Sequence, residues 1–384
     1  MVATTQTTGN ERLMSLDVFR GATMASMLLV NNPGDWDNLY GPLDHAPWHG
    51  WTFTDLIFPF FLWIVGVAIP LSMGRRLENG EQRSKELGRI FKRSMILIGL
   101  GLFLNGYPHY DFSTIRIMGV LQRIGVCYFF AVLIFLNTRV RGQCIAILAL
   151  LSGYWLLMAF MPVPGWGHGI YAEHGNFSEF VDTLILGAHN YKDTKTYDPE
   201  GIISTIPAIA TVLFGILAGH WLRSPSSKEE KTAWLFIAGN ILLFVGSVMN
   251  FWLPINKKLW TSAYSVFMAG MASNIFAICY WLVDVKGHRK YAKPFAVYGM
   301  NAITVFVLTG LIGRITLQVH LTASNGKSVT LKTWLFAHVK AGFEAVGGPL
   351  ATAKNSSLLY ALIYVIGMYL IASLMYRRKW FVRF

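Results

Sequence analysis

The sequence predicts an all-α fold, a polytopic membrane helical bundle of about ten transmembrane helices with both termini cytoplasmic. Three observations predict it. Apolar residues make up 54% of the 384 and charged residues only 14%, where an ordinary soluble domain carries about a quarter charged. The mean hydropathy is +0.43. Stretches of roughly 20 apolar residues, the length a helix needs to cross the hydrocarbon core, recur along the chain. Lys and Arg crowd alternate connections, as membrane topology requires, so the net charge of +13 calls for no nucleic-acid partner.

Taken in order, the expected spans cover 14–32, 53–74, 89–106, 117–136, 143–161, 202–222, 232–251, 259–284, 295–318 and 356–376. A further weak helical stretch at 329–346 is too short and too polar to span and reads as interfacial or re-entrant. Residues 1–13 form a cytoplasmic tail and 14–384 a single transmembrane domain. No Lys or Arg precedes Arg12 and no small-residue cleavage site follows a short apolar core, so the first apolar segment is expected to stay in the membrane. With the N-terminus inside, the cytoplasmic connections hold the basic clusters around Arg75, Arg83, Arg139, Arg223 and Lys286, and Arg377 follows the last span. The opposite face holds fewer cations, among them Arg116, Lys257 and Lys258, while Arg20, Arg123 and Arg314 fall within spans. Two long connections on that outer face, 162–201 and 319–355, are expected to cover or build a site. Cys127, Cys144 and Cys279 lie in apolar runs and read as small buried hydrophobes, with no disulfide or metal site implied. Gly99, Gly101, Gly106, Gly215 and Gly219 read as close helix packing.

Polar chemistry concentrates between the first two spans, in Pro42-Leu43-Asp44-His45-Ala46-Pro47-Trp48-His49-Gly50-Trp51-Thr52-Phe53-Thr54-Asp55-Leu56. Imidazole is the side chain best matched to taking a proton near neutral pH. His45 leads, His49 shares the segment, and Asp44 or Asp55 could orient the ring; a surface histidine is the plainer alternative. Asn31 and Asn32 could fix a carbonyl or simply stop the first helix before Pro33-Gly34. Asp17 and Arg20 share one helix face near the inner end of span one, as an ion pair or a functional pair. Arg123 needs a partner across the bundle or an anionic ligand. Tyr197-Asp198-Pro199-Glu200-Gly201 suits either a helix cap or an acidic lip that attracts an amine. No Walker loop, zincin pair or nucleophile elbow occurs.

Seven segments in order give the chain a family likeness. They are Arg12-Leu13-Met14-Ser15-Leu16-Asp17-Val18-Phe19-Arg20-Gly21; His45-Ala46-Pro47-Trp48-His49-Gly50 with Thr54-Asp55-Leu56-Ile57-Phe58-Pro59; Gly119-Val120-Leu121-Gln122-Arg123-Ile124-Gly125; Tyr197-Asp198-Pro199-Glu200-Gly201; Leu253-Pro254-Ile255-Asn256-Lys257-Lys258-Leu259-Trp260; Val283-Asp284-Val285-Lys286-Gly287; and Tyr298-Gly299-Met300-Asn301-Ala302. Together they resemble the transmembrane acetyltransferases typified by lysosomal heparan-α-glucosaminide N-acetyltransferase and its bacterial relatives. The chain is expected to depart from the lysosomal enzyme in a longer separation between Asn31 and His45, and in lacking its large lumenal N-terminal region and additional first span.

The resemblance implies transfer of acetyl from cytoplasmic acetyl-CoA to the amine of a glucosamine-type acceptor beyond the bilayer, with no metal. It assigns the active-site histidine to His45 rather than His49, and the family asparagine to Asn31. On that basis His45, Asn31 and Asp55 are the catalytic candidates. Arg20, Asp17, Arg123, Arg75 and Arg76 are the candidates for CoA, and Asp198, Glu200 and Asp44 for the acceptor. A homodimer in a bacterial inner membrane, with His45 near the periplasmic face, completes the expectation. The rival readings are an amino-sugar transporter, against which stands the lack of any visible repeat, and a CoA-binding thioesterase-like membrane protein.

Overall fold

The computed structural model describes residues 13–322 and 326–381. The expected tail 1–13, save Leu13, lies outside the described residues, as do Arg12 and Arg383. Helix α1 (Met14–Asn31) stops at Asn-Asn-Pro-Gly, residues that favour a turn over another helical step. A single 3₁₀ turn, Gly41–Leu43, interrupts the loop that follows. Helix α2 (Phe53–Ile69) runs on through a π-helical turn, Pro70–Gly74, into the short α3 (Arg75–Glu78). The wider turn accommodates Pro70, whose ring and missing N–H disrupt a regular α-helix.

Next come α4 (Arg83–Gly106), α5 (Val120–Asn137), α6 (Val140–Phe160), the short amphipathic α7 (Phe177–Ile185), α8 (Ile202–Leu222) and α9 (Lys228–Met249). Helix α10 (Ser262–Tyr280) ends in a second π-turn, Trp281–Val285. Helices α11 (Arg289–Met300) and α12 (Ala302–Gln318) meet at Asn301 with a bend of 67°. A hairpin of β1 (His320–Thr322) and β2 (Ser328–Thr330), with Leu321 opposite Val329, leads into α13 (Leu331–Gly347) and α14 (Ala353–Arg377). The hairpin escapes sequence periodicity because each strand is three residues long.

Among the described residues, seven helical runs are long and apolar enough to cross a membrane, and the bent α11–α12 pair makes an eighth if it is one span. The expectation of about ten counted two more, α1 and α4, both of which form helices. Asp17 and Arg20 in α1, and the basic first half of α4, dilute the apolar character that identifies a span. Helices α2 and α8 are central, with 67% and 72% of their apolar windows buried, against 22% for α9 and 28% for α6 and α14. Helix α14 returns antiparallel beside α1, its Ser357 carbonyl accepting from the Gly34 amide, so α1 begins where α14 ends.

Close helix crossings assemble this bundle, among them α2 with α8, α1 with α11 and, at Gly239 and Gly270, α9 with α10. A Cβ on Gly66 would stand 2.0 Å from the Val212 carbonyl oxygen, and one on Gly215 2.1 Å from that of Trp63, so α2 and α8 meet backbone to backbone. Gly21 and Gly299 do the same for α1 and α11. Apolar side chains gain little from leaving lipid for protein, so close packing carries much of the association. The five glycines expected to pack divide accordingly. Gly215 and Gly219 face α2 and its Pro70, Gly101 meets the Gln122 side chain, Gly106 meets Tyr110 in its own turn, and Gly99 has open space around it. Around the crossings Phe19, Phe60, Trp63 and Phe276 form an aromatic cluster, with Phe19–Phe60 centroids 5.5 Å apart and Trp63–Phe276 5.4 Å.

The long 162–201 connection is built rather than loose. Asn176 caps α7 through the Glu179 amide (2.9 Å), and Asp182 of α7 accepts the Ile202 amide (2.9 Å) at the start of α8. Gly215→Leu should cost about 1–3 kcal/mol or more of stability by prising α2 from α8. Gly99→Leu should melt close to wild type. Equal melting temperatures for the two variants in detergent would place the critical crossing elsewhere.

Candidate active site

The first turn of α2 begins the site. Asp55 stands three residues past the N-cap Thr52, where a carboxylate suits the unpaired amides of a helix start. Its Oδ2 accepts from the amides of Thr52 (3.0 Å) and Ala46 (3.0 Å), pulling the 42–50 loop against the helix. Its Oδ1 lies 2.6 Å from His45 Nδ1. Facing an acceptor-only carboxylate, Nδ1 is the nitrogen that donates, and in the neutral ring Nε2 is then the acceptor. The hydroxyl of the fully buried Tyr264 in α10 donates to the Asp55 carbonyl (2.6 Å) and anchors the same turn.

This dyad stands at the mouth of a cavity of about 630 Å³ between α1, α2, α5 and α12. Met24, Met27, Phe58, Phe61, Ile124 and Phe306 line its apolar part, and Asn31, His45, Asp55, Arg116, Glu200 and Lys257 are among the polar groups. The wall contributed by α1 runs from Asn31 to Thr23 on one helix face, about 12 Å along the axis. The two asparagines thereby part company. Asn32 donates its amide back to the Leu28 carbonyl (2.9 Å), whereas among the described residues the Asn31 side chain has no protein hydrogen-bond partner and faces the cavity. The two histidines separate as well. His49 is drawn toward Asn256 outside the cavity, and burial lowers its pKa below the usual histidine value.

Lys257, in the turn between α9 and α10, brings its Nζ to 3.1 Å and 3.3 Å from the two ring nitrogens of His45 and to 3.5 Å from Asp55 Oδ1. Lys258 donates to the Pro47 carbonyl (3.2 Å) and lies over the Trp48 ring. Neither lysine stands out by its own sequence signal. The adjacent pair within Leu253–Trp260, at the end of a span, was the available clue.

The expected acidic lip takes a different form. Asp198 is buried and takes a bidentate hold from Arg116, Nε at 2.7 Å and an Nη at 2.6 Å, and the same guanidinium reaches Glu200. Burial alone would lower the Arg116 pKa, but the two carboxylates outweigh it and leave the guanidinium held more firmly protonated than usual. Glu200 lines the cavity and Asp198 does not, and the helix cap expected from this segment is supplied by Asp182 instead. Asp44, exposed, accepts the His45 amide (2.7 Å) and orients the loop rather than the ring.

The residues expected to meet CoA also part. Arg123 is fully buried, donates to the Gly201 carbonyl (3.1 Å) and to Ser204, and lies over Trp260, so it joins α5 to α8 and does not line the cavity. Its partner across the bundle is the start of α8. Arg20 pairs with Asp17 at 3.2 Å, one helical turn beyond Thr23 of the cavity wall. Arg76 grips the buried Glu86 with its Nε (3.0 Å) and one Nη (2.8 Å), and Arg75 is exposed beside it. Among the described residues, no group of three or more His, Cys, Asp and Glu is placed to hold a metal ion.

With this geometry in hand, the comparisons with known proteins bear directly on the cavity. The family model for heparan-alpha-glucosaminide N-acetyltransferase, catalytic, matches residues 12–253, which include Asn31, His45, Asp55, Arg116 and Glu200 and stop short of Lys257. The chain is 32% identical over 351 residues to heparan-alpha-glucosaminide N-acetyltransferase of Homo sapiens, covering 77% of this chain and 52% of that protein. The Mus musculus protein of the same name is 32% identical over 358 residues, covering 79% of this chain and 54% of its own length. The chain thus spans about half the length of the curated relatives it matches. Since the match runs through the α1, α2 and α5 walls of the cavity and through the His45–Asp55 pair, the chain belongs to the heparan-alpha-glucosaminide N-acetyltransferase catalytic family.

Proposed function

We propose that the protein is a membrane-bound acetyltransferase, taking acetyl from cytoplasmic acetyl-CoA and delivering it to an amino-sugar amine at the opposite face, with His45 as general base. The observation that carries this reading is the cavity itself, in which an imidazole oriented by a carboxylate opens onto an apolar shaft. An apolar passage suits the pantetheine arm and thioester of acetyl-CoA, and a polar mouth suits a sugar. An amino sugar is largely cationic at neutral pH, and Glu173, Asp193 and Glu200 around the mouth support such an acceptor.

The bound ammonium first loses one proton to water, and as the neutral amine attacks, His45 Nε2 takes the second proton while Asp55 holds the ring and stabilises the imidazolium that forms. The Asn31 amide donates to the carbonyl oxygen as it gains charge. Collapse breaks the C–S bond, and the imidazolium returns its proton to the leaving thiolate. At the other end of the shaft, Arg20 and Arg75 are the groups for the CoA phosphates, with Arg76 already shared with Glu86. Arg20 lies eleven residues before Asn31 on α1, about 16 Å away along the axis. The face where α1 begins and α14 ends is cytoplasmic in this reading, the membrane is a bacterial inner membrane, and the family resemblance adds a homodimer.

Three substitution sets test these roles in nanodiscs with acetyl-CoA and glucosamine. His45→Ala should abolish N-acetylglucosamine formation and leave CoA affinity within about threefold of wild type, whereas Arg20→Ala should weaken CoA binding first. Equal loss of CoA affinity in both would remove the division of labour. Asn31→Ala should lower kcat by about 10²–10³-fold and Asn32→Ala by only a few-fold; a reversed order would reassign the oxyanion donor. Asp55→Asn should lower kcat by about 10²–10⁴-fold and cost about 1 kcal/mol of stability through the helix start. A stability loss without a rate loss would make Asp55 a cap alone. Acetylated protein trapped in the absence of acceptor would replace direct transfer by an acetyl-imidazole route.

A further inference from the structure

We propose, resting on the acetyltransferase reading, that Lys257 is a catalytic residue of the transfer, its ammonium holding the acetyl carbonyl oxygen as negative charge develops there. The backbone that carries it is fixed. Asn256, fully buried, accepts the Leu259 amide (2.8 Å) and donates to the Trp48 carbonyl (2.9 Å), tying the α9–α10 turn to the loop that bears His45. From this turn the Lys257 side chain, 19% exposed, enters the cavity that Asn31 lines from α1.

The position of the ammonium argues against a merely structural part. Nζ lies at nearly equal distances from the two His45 nitrogens, 3.1 and 3.3 Å. A donor engaged with one lone pair lies on the line of that lone pair, so the ammonium sits beside the ring and not at the end of Nε2. Nε2 stays open for the acceptor's proton. Asp55 does not require the lysine either: two backbone amides occupy Oδ2 and the imidazole occupies Oδ1, and Nζ stands off at 3.5 Å. An ammonium has three protons, so donors remain for a group in the cavity. Burial lowers the Lys257 pKa below the ordinary lysine value, against the pull of Asp55 and Glu200, and a more acidic donor makes the stronger hydrogen bond. Lys258 differs, being committed to the Pro47 carbonyl and to Glu173 at 3.7 Å.

In the step itself the acceptor nitrogen forms a bond to the acetyl carbon, and the carbonyl π pair moves to oxygen between Lys257 and Asn31. The nitrogen's proton passes to His45 Nε2. The oxygen pair then returns, the C–S bond breaks, and the thiolate takes that proton. No oxidant or further reactant enters.

The test compares wild type, Lys257→Met and Lys257→Arg in nanodiscs, with acetyl-CoA and glucosamine, by steady-state kinetics and CoA calorimetry. Lys257→Met should lower kcat by about 10²–10³-fold while the acetyl-CoA KM and CoA affinity stay within about threefold, and Lys257→Arg should recover about a tenth or more of the wild-type kcat. An unchanged kcat, or a loss confined to the glucosamine KM, would overturn the proposal. So would a Lys257→Arg variant as slow as Lys257→Met. If Lys257→Met does not yield monodisperse protein, Lys257→Gln is read by the same split. A wild type that transfers no acetyl sinks the acetyltransferase reading and this inference with it; an active wild type with an unimpaired Lys257→Met sinks this inference alone.

Discussion

One oxygen of the Asp55 carboxylate accepts the amides of Ala46 and Thr52, and the other meets His45 Nδ1. A helix start has unpaired N–H groups that need an acceptor, and an imidazole that is to act as a base needs its second nitrogen engaged. Both requirements fall on one side chain that is 1% exposed. The loop between α1 and α2 closes onto α2 because of it, and the ring of His45 is aimed by the contact that closes the loop. A buried carboxylate is tolerated there because every oxygen has a donor.

The cavity beside this pair depends on where the helices can and cannot approach. Gly66 and Gly215 let α2 and α8 touch at the backbone, and Gly21 with Gly299 does the same for α1 and α11. Where bulky residues face one another instead, as Met24, Phe58, Phe61 and Phe306 do, the helices stand apart and space remains. Tight crossings on one side and large apolar side chains on the other therefore leave an apolar shaft between the helices. The bend at Asn301 turns α12 so that Ile303 and Phe306 complete it.

Most of the buried charge is paired. Arg116 binds Asp198 and Glu200, Arg76 binds Glu86 and Arg20 binds Asp17, whereas Arg123 gives one Nη to the start of α8 and keeps its Nε and other Nη buried without a hydrogen-bond partner. Ionisable groups in a membrane protein are expensive when left alone. Most of these cations therefore hold the bundle together, and a charge's presence in a span is weak evidence of a ligand. Asn31 and Lys257 are informative for the opposite reason. Both face the cavity with hydrogen-bonding capacity that the protein's own carbonyls and carboxylates do not use up.

By itself the sequence determined the helical membrane class, the positions of most long helices, though not α7 or the break at Asn301, and the stretch that bears His45. Hydropathy, span length and turn residues are local properties, and His45-Ala46-Pro47-Trp48-His49-Gly50 is contiguous. The hairpin at 320–330 was too short to show a period, and α1 and α4 carry enough charge to blur the line between a span and an ordinary helix. Which carboxylate orients His45, which asparagine faces the shaft and what Arg123 binds were decided only by tertiary structure. Asp44 and Asp55 are chemically equivalent in sequence, as are Asn31 and Asn32, and the direction of each side chain is set by helix phase and packing. The Arg116–Asp198 contact joins residues 82 apart and the Lys257–His45 contact residues 212 apart. Separations of that size carry no local signal, because only the docking of whole helices brings such groups within hydrogen-bond range.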